Sequence, residues 1–356
     1  MSPALAIHTI GLNLPESRSV TELAAAVGGD VESYTGWPRI RLGGDEDHPG
    51  TLASRALTVA LEQAGVSASE LKIVVSTGMS REYLGSWSCA AEVMRQHGIP
   101  STCLPLDISC GCLATLSALS LVQGWLAAQG GGYAAIVAGE RLSGTVDRTD
   151  NSAQHLWPYG DGGSALIVGV GTGTPALWHL ASTGFSSHAP FAGLLRVEYG
   201  GTRHPVPPVG ATNYRRFQPV KLSELREAYV EGYKNAFARA FEGTSARPER
   251  VVCNQMSPNF LPSIAELAGV PLERVVVTGN DAGHVGAVDL GIGLRRLVDE
   301  RHTDCPIALG ASTPFAFGAA MLVPAGRTSR TNPASRVSPD RGSDRPPLTP
   351  IALTPA

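Results

Sequence analysis

The run Asp107-Ile-Ser-Cys-Gly-Cys112-Leu-Ala-Thr-Leu-Ser-Ala-Leu-Ser-Leu-Val-Gln-Gly-Trp-Leu-Ala-Ala128 decides how the rest of the chain reads. Thr102–Asp107 reads as a strand and Leu113–Ala128 as a helix, with Cys-Gly-Cys in the turn between them. The helix is apolar on most faces, which predicts a central, buried position. A Cys at its start would lie on a pocket floor, where unpaired helix N–H groups favour a thiolate. Cys112 is therefore the candidate nucleophile. The alternative is a small buried hydrophobe, the commoner fate of cysteine, and Cys110, one step earlier in the turn, fits that role better.

Outward from this run, strand-like and helix-like segments alternate, which predicts an α/β fold with buried sheets. Helical spacing covers Leu52–Gly65, Ala90–His97, Leu222–Phe241, Leu261–Leu267 and Val285–Val298. Strand signals cover Leu71–Thr77, Ala134–Ala138, Ser164–Gly169, Arg250–Cys253, Arg274–Thr278, Pro306–Leu309 and Ala319–Leu322. Gly184–Arg216 is rich in Gly, Pro, His and Arg and reads as a long irregular excursion of the lid or substrate-loop kind. Residues 327–356 carry almost no large apolar side chains and read as a disordered tail.

Composition excludes several function classes. The 356 residues are 43% hydrophobic and 17% charged, with a net charge of −3, which suits a globular protein with a substantial core. No basic stripe with interleaved aromatics marks a nucleic-acid surface. No run of about 18 apolar residues marks a membrane span. The first ten residues lack the basic and apolar regions of a secretory signal. The six cysteines are dispersed, so a reduced, cytoplasmic setting is the expectation. Cys110-Gly-Cys112 lacks the spacing and the second pair of a zinc site.

A weak internal duplication points to the second half of the site. Leu71–Thr77 and its following helix resemble Arg250–Cys253 and its helix. The next strands then run into Ser-Cys-Gly-Cys112-Leu and Asp-Ala-Gly-His284-Val. If a pseudo-twofold axis relates the halves, Cys112 and His284 face each other at its centre. His284 is the candidate base. Asp289 lies five residues on, too far round for an ideal i, i+4 contact inside one helix. With His284 in the turn before the helix, however, the carboxylate reaches the ring and fixes its tautomer. A capping or core histidine is the alternative reading of His284. Asn254 follows a strand, where its amide could bond a substrate carbonyl or simply start a turn. His179 and His188 lie near the long excursion, where a surface role is the more common one.

Together these residues resemble the ketoacyl synthase III family of thiolase-fold enzymes. Asp107-Ile-Ser-Cys-Gly-Cys112 is similar to that family's nucleophile segment, Tyr159-Gly-Asp-Gly-Gly163 to its Gly-Asp-Gly turn, and Leu309-Gly-Ala-Ser-Thr-Pro-Phe-Ala-Phe-Gly-Ala319 to its C-terminal Gly-rich segment. The resemblance implies two similar βαβαβαββ halves in a five-layered α-β-α-β-α arrangement, at 1–172 and 173–326, and a homodimer. It implies no cofactor beyond an acyl thioester of acyl carrier protein or coenzyme A.

The departures from the family pattern carry as much as the matches. The family's His-Gln-Ala-Asn reads Asn254-Gln-Met-Ser257 here, so the His that stabilises the decarboxylating carbonyl is an Asn. Asn-Thr-Ser-Ala-Ala-Ser reads Asn280-Asp-Ala-Gly-His-Val-Gly-Ala-Val-Asp289, keeping an Asn and adding a His and an Asp. The aromatic and Arg that clamp coenzyme A fall near Asp30 and Tyr34, and the glycine of the oxyanion site aligns with Pro314, which has no N–H. The expectation is an acyltransferase of polyketide or antibiotic biosynthesis. Cys112, His284 and Asp289 would be catalytic; Asn254, Asn280 and His188 would bind substrate. The acceptor would be a hydroxyl or a carrier thiol. Decarboxylative condensation of a starter unit is the alternative within enzymes. A non-catalytic partner subunit is the alternative outside them, and such a subunit needs neither Cys112 nor His284.

Overall fold

The computed structural model describes residues 4–242 and 244–326. Its first half contains β1 (Ala6–Asn13), β2 (Glu16–Ser19), α1 (Val20–Ala26), β3 (Arg39–Leu42), α2 (Pro49–Ala64), β4 (Leu71–Ser76), α3 (Cys89–His97), β5 (Leu104–Asp107), α4 (Ala114–Ala128), β6 (Gly132–Arg141) and β7 (Asp161–Val170). The second contains β8 (Trp178–Ser187), β9 (Leu195–Val197), β10 (Arg215–Phe217), α5 (Leu222–Phe241), β11 (Arg250–Cys253), α6 (Leu261–Ala268), β12 (Val275–Val276), α7 (Gly279–Ala282), α8 (Asp289–Asp299), β13 (Ile307–Thr313) and β14 (Ala316–Pro324). The expected tail at 327–356 lies outside the described residues.

The main sheet runs β12-β11-β13-β14-β8-β1-β7-β6-β4-β5. Read outward from the β8–β1 junction, the two sides have one order: first strand, fifth, fourth, second, third. Setting aside the β2–β3 and β9–β10 ladders and the short helices α1 and α7, each side reads βαβαβαββ, as the resemblance implies. The halves join where β1 pairs antiparallel with β8, Ala6 opposite His179 and Ile7 opposite Trp178.

Helix contacts give the layers. α2 packs on β1, β7 and β6, and α5 packs on β8 and β14, on the outer faces. α4 touches β6 and β7 of one half and β13 and β14 of the other, while α8 touches β1 and β7 as well as β11 and β12. These two helices form the middle layer, so the arrangement is α-β-α-β-α. Gly111–Ala128 has the length and hydropathy of a membrane span, but α4 packs between the two halves of the main sheet, and that explains its apolar composition.

The duplication reaches atomic detail at the helix–sheet contacts. A Cβ on Gly11 of β1 would stand 2.2 Å from the Ala56 carbonyl oxygen and 2.6 Å from the Ala60 nitrogen of α2. A Cβ on Gly184 of β8 would stand 2.2 Å from the Ala236 oxygen and 2.5 Å from the Ala240 nitrogen of α5. Neither strand can carry a side chain there without lifting its helix from the sheet.

Three segments differ from the sequence expectation. β1 and β8, the strands that join the halves, carry no strand signal strong enough to be read in advance. The irregular excursion starts after Ser187 instead of at Gly184, and β9 and β10 pair within it, Arg215 opposite Val197. The helix expected over Val285–Val298 begins with a 3-10 turn, Gly286–Val288, before α8 starts at Asp289. His284 therefore precedes the helix, and the five-residue spacing is no obstacle.

Candidate active site

Cys112 sits in a 3-10 turn, Gly111–Leu113, that feeds directly into α4. Gly111 makes the turn possible: its φ is +53°, and a Cβ there would stand 2.7 Å from Thr313 Cγ2. Only glycine adopts this backbone without strain and also leaves room for the β13–β14 turn. The Cys112 side chain is 8% exposed. Its backbone N–H belongs to the first turn, where helix donors have no intrahelical acceptors.

His284 arrives from the other half. Its backbone N–H donates to Pro158 O at 2.8 Å, and its carbonyl accepts from Gly160 N at 2.9 Å. The second half's His is thus stitched to the Tyr159 turn of the first. Its Nε2 lies 3.2 Å from Cys112 Sγ, and its Nδ1 lies 2.6 Å from Asp289 Oδ2. Asp289 also accepts from Gln255 N at 2.7 Å and Val285 N at 2.8 Å. A carboxylate can only accept, so Nδ1 carries a proton and Nε2 faces the sulfur. His284 and Asp289 are fully buried.

Burial by itself pulls the His284 imidazole down. The charges of Cys112 and Asp289, and the hydrogen bonds to both, outweigh that, and hold it well above the ordinary histidine value of 6.5. The raised value favours a protonated imidazole in hydrogen-bond contact with the Cys112 sulfur. Such a pair attacks a carbonyl carbon, and the same imidazole then relays the proton. Among the described residues no cluster of three His, Cys, Asp or Glu side chains could hold a metal.

The pair opens into a cavity of about 900 Å³. Its floor carries Cys112 and His284, its walls carry Met79, Tyr159, Tyr229, Phe260 and Phe315, and its roof comes from the excursion at 195–197 and 215–220. The Tyr159 ring meets the His284 ring edge-on, centroids 4.9 Å apart.

Three expected substrate-binding residues do not reach this cavity. Asn254 is buried behind it: its Oδ1 accepts from Tyr233 Oη at 2.8 Å, and Tyr233 Oη lies 3.0 Å from Ser312 Oγ, which does line the cavity. Asn280 is exposed on α7, because the chain leaves the sheet after Val276 and turns through α7, bringing His284 to Cys112 instead. His188 starts the Ala189–Phe191 turn, its N–H bonded to Phe315 O and its ring packed on Phe191 at 4.3 Å. That contact holds its ring on Phe191, outside the residues that line the cavity. His179 lies on β8 opposite Ala6.

The cavity brings in residues that sequence reasoning did not single out. Tyr159 was read as part of a turn, and the turn's pairing with His284 is what makes it a wall residue. His155 packs on Phe217 and is lowered by burial, which keeps it neutral. Arg215 and Arg226 sat unremarked in the excursion and in α5; only their placement at the cavity distinguishes them from surface arginines. Pro314 lines the cavity without an N–H, and the neighbouring Phe315 N–H is directed at Thr313 Oγ1, 3.3 Å away.

Residues 106–184 match the family model of 3-oxoacyl-[acyl-carrier-protein (ACP)] synthase III. The beta-ketoacyl-[acyl-carrier-protein] synthase III of Baumannia cicadellinicola is 26% identical over 303 residues, 81% of this chain and 88% of that protein. The protein of the same name from Ruegeria pomeroyi is 26% identical over 267 residues, 74% of this chain and 79% of that one. Among solved structures, a variant of OleA from Xanthomonas campestris superimposes with a TM-score of 0.74 at 18% identity, covering 91% of this chain and 99% of that one. The 3-oxoacyl-[acyl-carrier-protein] synthase III of Aquifex aeolicus gives 0.76 at 20%, covering 90% and 99%.

Proposed function

For a thiolase-fold chain related to the 3-oxoacyl-[acyl-carrier-protein] synthases III, we propose acyl transfer to a hydroxyl without condensation. The observation that carries this reading is the buried Cys112–His284–Asp289 relay. The Cys112 thiolate attacks the thioester carbonyl of an acyl carrier protein or acyl-coenzyme A donor. A new C–S bond forms to Cys112, the donor's C–S bond breaks, and the leaving thiolate takes the proton from His284. An acceptor hydroxyl then gives its proton to His284 Nε2 as its oxygen attacks. The ester forms and the Cys112 thiolate leaves. Asp289 keeps Nδ1 protonated throughout and stabilises the imidazolium.

Decarboxylative condensation, the alternative enzymatic reading, requires stabilisation of a developing enolate. By the family resemblance Asn254 stands where the condensing pattern has a His, and its side chain is held behind Ser312. That arrangement favours transfer over carbon–carbon bond formation. The departure from the condensing pattern also favours specialised, polyketide-type metabolism as the setting.

Intact-mass measurement after incubation with acyl thioesters tests the proposal. Cys112 gains the acyl mass, and Cys112→Ala does not. His284→Ala still acylates slowly but loses transfer to the acceptor by ~10²–10⁴, the usual general-base contribution. Release of carbon dioxide from a malonyl thioester with a chain-extended product would establish the condensing reading instead.

A further inference from the structure

We infer that the acyl group taken by this site carries a free carboxylate, as in a dicarboxylic half-thioester of the malonyl type, and that Arg215 binds it. The inference rests on the acyl-transfer reading and names its substrate class. The cavity lining contains no Asp or Glu among the described residues. Arg215 is half-buried in that lining, its guanidinium carbon 5.6 Å from the centroid of the Tyr159 ring, the ring that touches His284. Its Nη1 is buried and has no hydrogen-bond partner.

A guanidinium is charged at any working pH, and a donor shut off from water without an acceptor is costly. Nearby arginines show what the chain does when it intends a structural pair. Arg216, on the opposite face of the same strand, bonds Asp150 at 2.9 Å and lies 3.5 Å from Asp147. Arg196 bonds Glu198 at 2.9 Å. Arg226 lines the cavity from an exposed position on α5, where water solvates it. Arg41 Nε and Arg148 Nε are also buried without partners, but among these three arginines only Arg215 lines the cavity.

The anion is a carboxylate on the acyl chain and not the phosphate of the carrier. The long pantetheine arm keeps that phosphate far from the thioester, whereas Arg215 packs on the aromatic neighbour of the catalytic imidazole. A planar guanidinium matches a carboxylate in two parallel hydrogen bonds. The pairing also suits transfer without decarboxylation. Loss of carbon dioxide moves negative charge off the carboxylate, so an ion pair at that group stabilises the ground state and opposes the step.

The test measures rates of Cys112 acylation by malonyl- and succinyl-coenzyme A against propionyl- and butyryl-coenzyme A, which share the same carrier phosphates. Wild type prefers the carboxyacyl donors. Arg215→Gln collapses that preference by about 10- to 100-fold, the worth of a charge-assisted hydrogen bond, and Arg215→Lys restores part of it. Equal wild-type rates with both donor classes overturn the inference whatever the variants do. An equal loss with both classes in Arg215→Gln assigns Arg215 to the carrier phosphate or to the loop's structure, and overturns it too. Acylation by neutral donors alone leaves the acyl-transfer reading standing and removes this one. No adduct on Cys112 from any donor removes both.

Discussion

His284 has the Cys112 sulfur on one ring nitrogen and the Asp289 carboxylate on the other, and the imidazole and the carboxylate are fully buried. Removing Cys112 removes the largest influence that raises the imidazole. In wild type, the His284 ring signals should stay those of an imidazolium well above pH 6.5. In Cys112→Ala they should titrate at lower pH, as followed by NMR. The sign of the accompanying stability effect follows from the raised value. The stabilisation is complete below the ordinary 6.5 and fades as pH climbs through the folded-state value. The melting-temperature gap between wild type and His284→Ala should therefore narrow in alkaline buffer. Titration at the same pH in wild type and Cys112→Ala would show that thiol and imidazole are not an ion pair.

At the scale of elements, the site depends on how two turns from different halves are tied together. Glu140, at the end of β6, is fully buried and accepts from Met79 N at 2.9 Å, Ser80 N at 3.0 Å, Ser80 Oγ at 2.8 Å and Ala287 N at 3.3 Å. Ala287 lies in the 3-10 turn between His284 and Asp289, so this one carboxyl fixes the loop after β4 against the start of α8. Glu140→Gln puts an amide donor where only acceptors serve. It should cost about 1–3 kcal/mol, the desolvation penalty of a buried group left unpaired, read by denaturant melts. A melt like that of wild type would show that the turns hold without it.

At the scale of the whole molecule, β5 is one of the two edges of the main sheet and is bonded only to β4. Leu104 and Leu106 on it are 42% and 39% exposed, and Tyr83 and Leu84 of the loop after β4 are 67% and 72% exposed. An apolar sheet edge left open is a template for pairing with another chain. A homodimer closed across β5, the expectation from the family resemblance, would cover it. Light scattering should give twice the chain mass for wild type and the monomer mass for Leu106→Lys. A monomeric wild type would show that no second copy closes this edge.

Pattern and motif together reached much of this. Alternating segments and an apolar α4 led to the α/β class, and the Cys-Gly-Cys112 and Gly-His284 turns led to the candidate nucleophile and base that the structure places 3.2 Å apart, because helix starts and glycine turns are written locally in the chain. β1 was not legible, since His8 and Thr9 break its apolar run, and β8 was not, since Ala181-Ser-Thr-Gly-Phe-Ser-Ser187 looks like loop until a neighbour supplies its hydrogen bonds. The same limit applies to the site. Whether His284 faces Cys112, whether Asn280 or His188 reaches the cavity, and whether Arg215 keeps an unpartnered donor beside Tyr159 depend on which segments the pseudo-twofold brings together. Those contacts join residues far apart in sequence, such as Cys112 and His284, 172 positions apart. Residue type and spacing name the chemistry available to this chain; only the packing of one half against the other decides which of those groups meet.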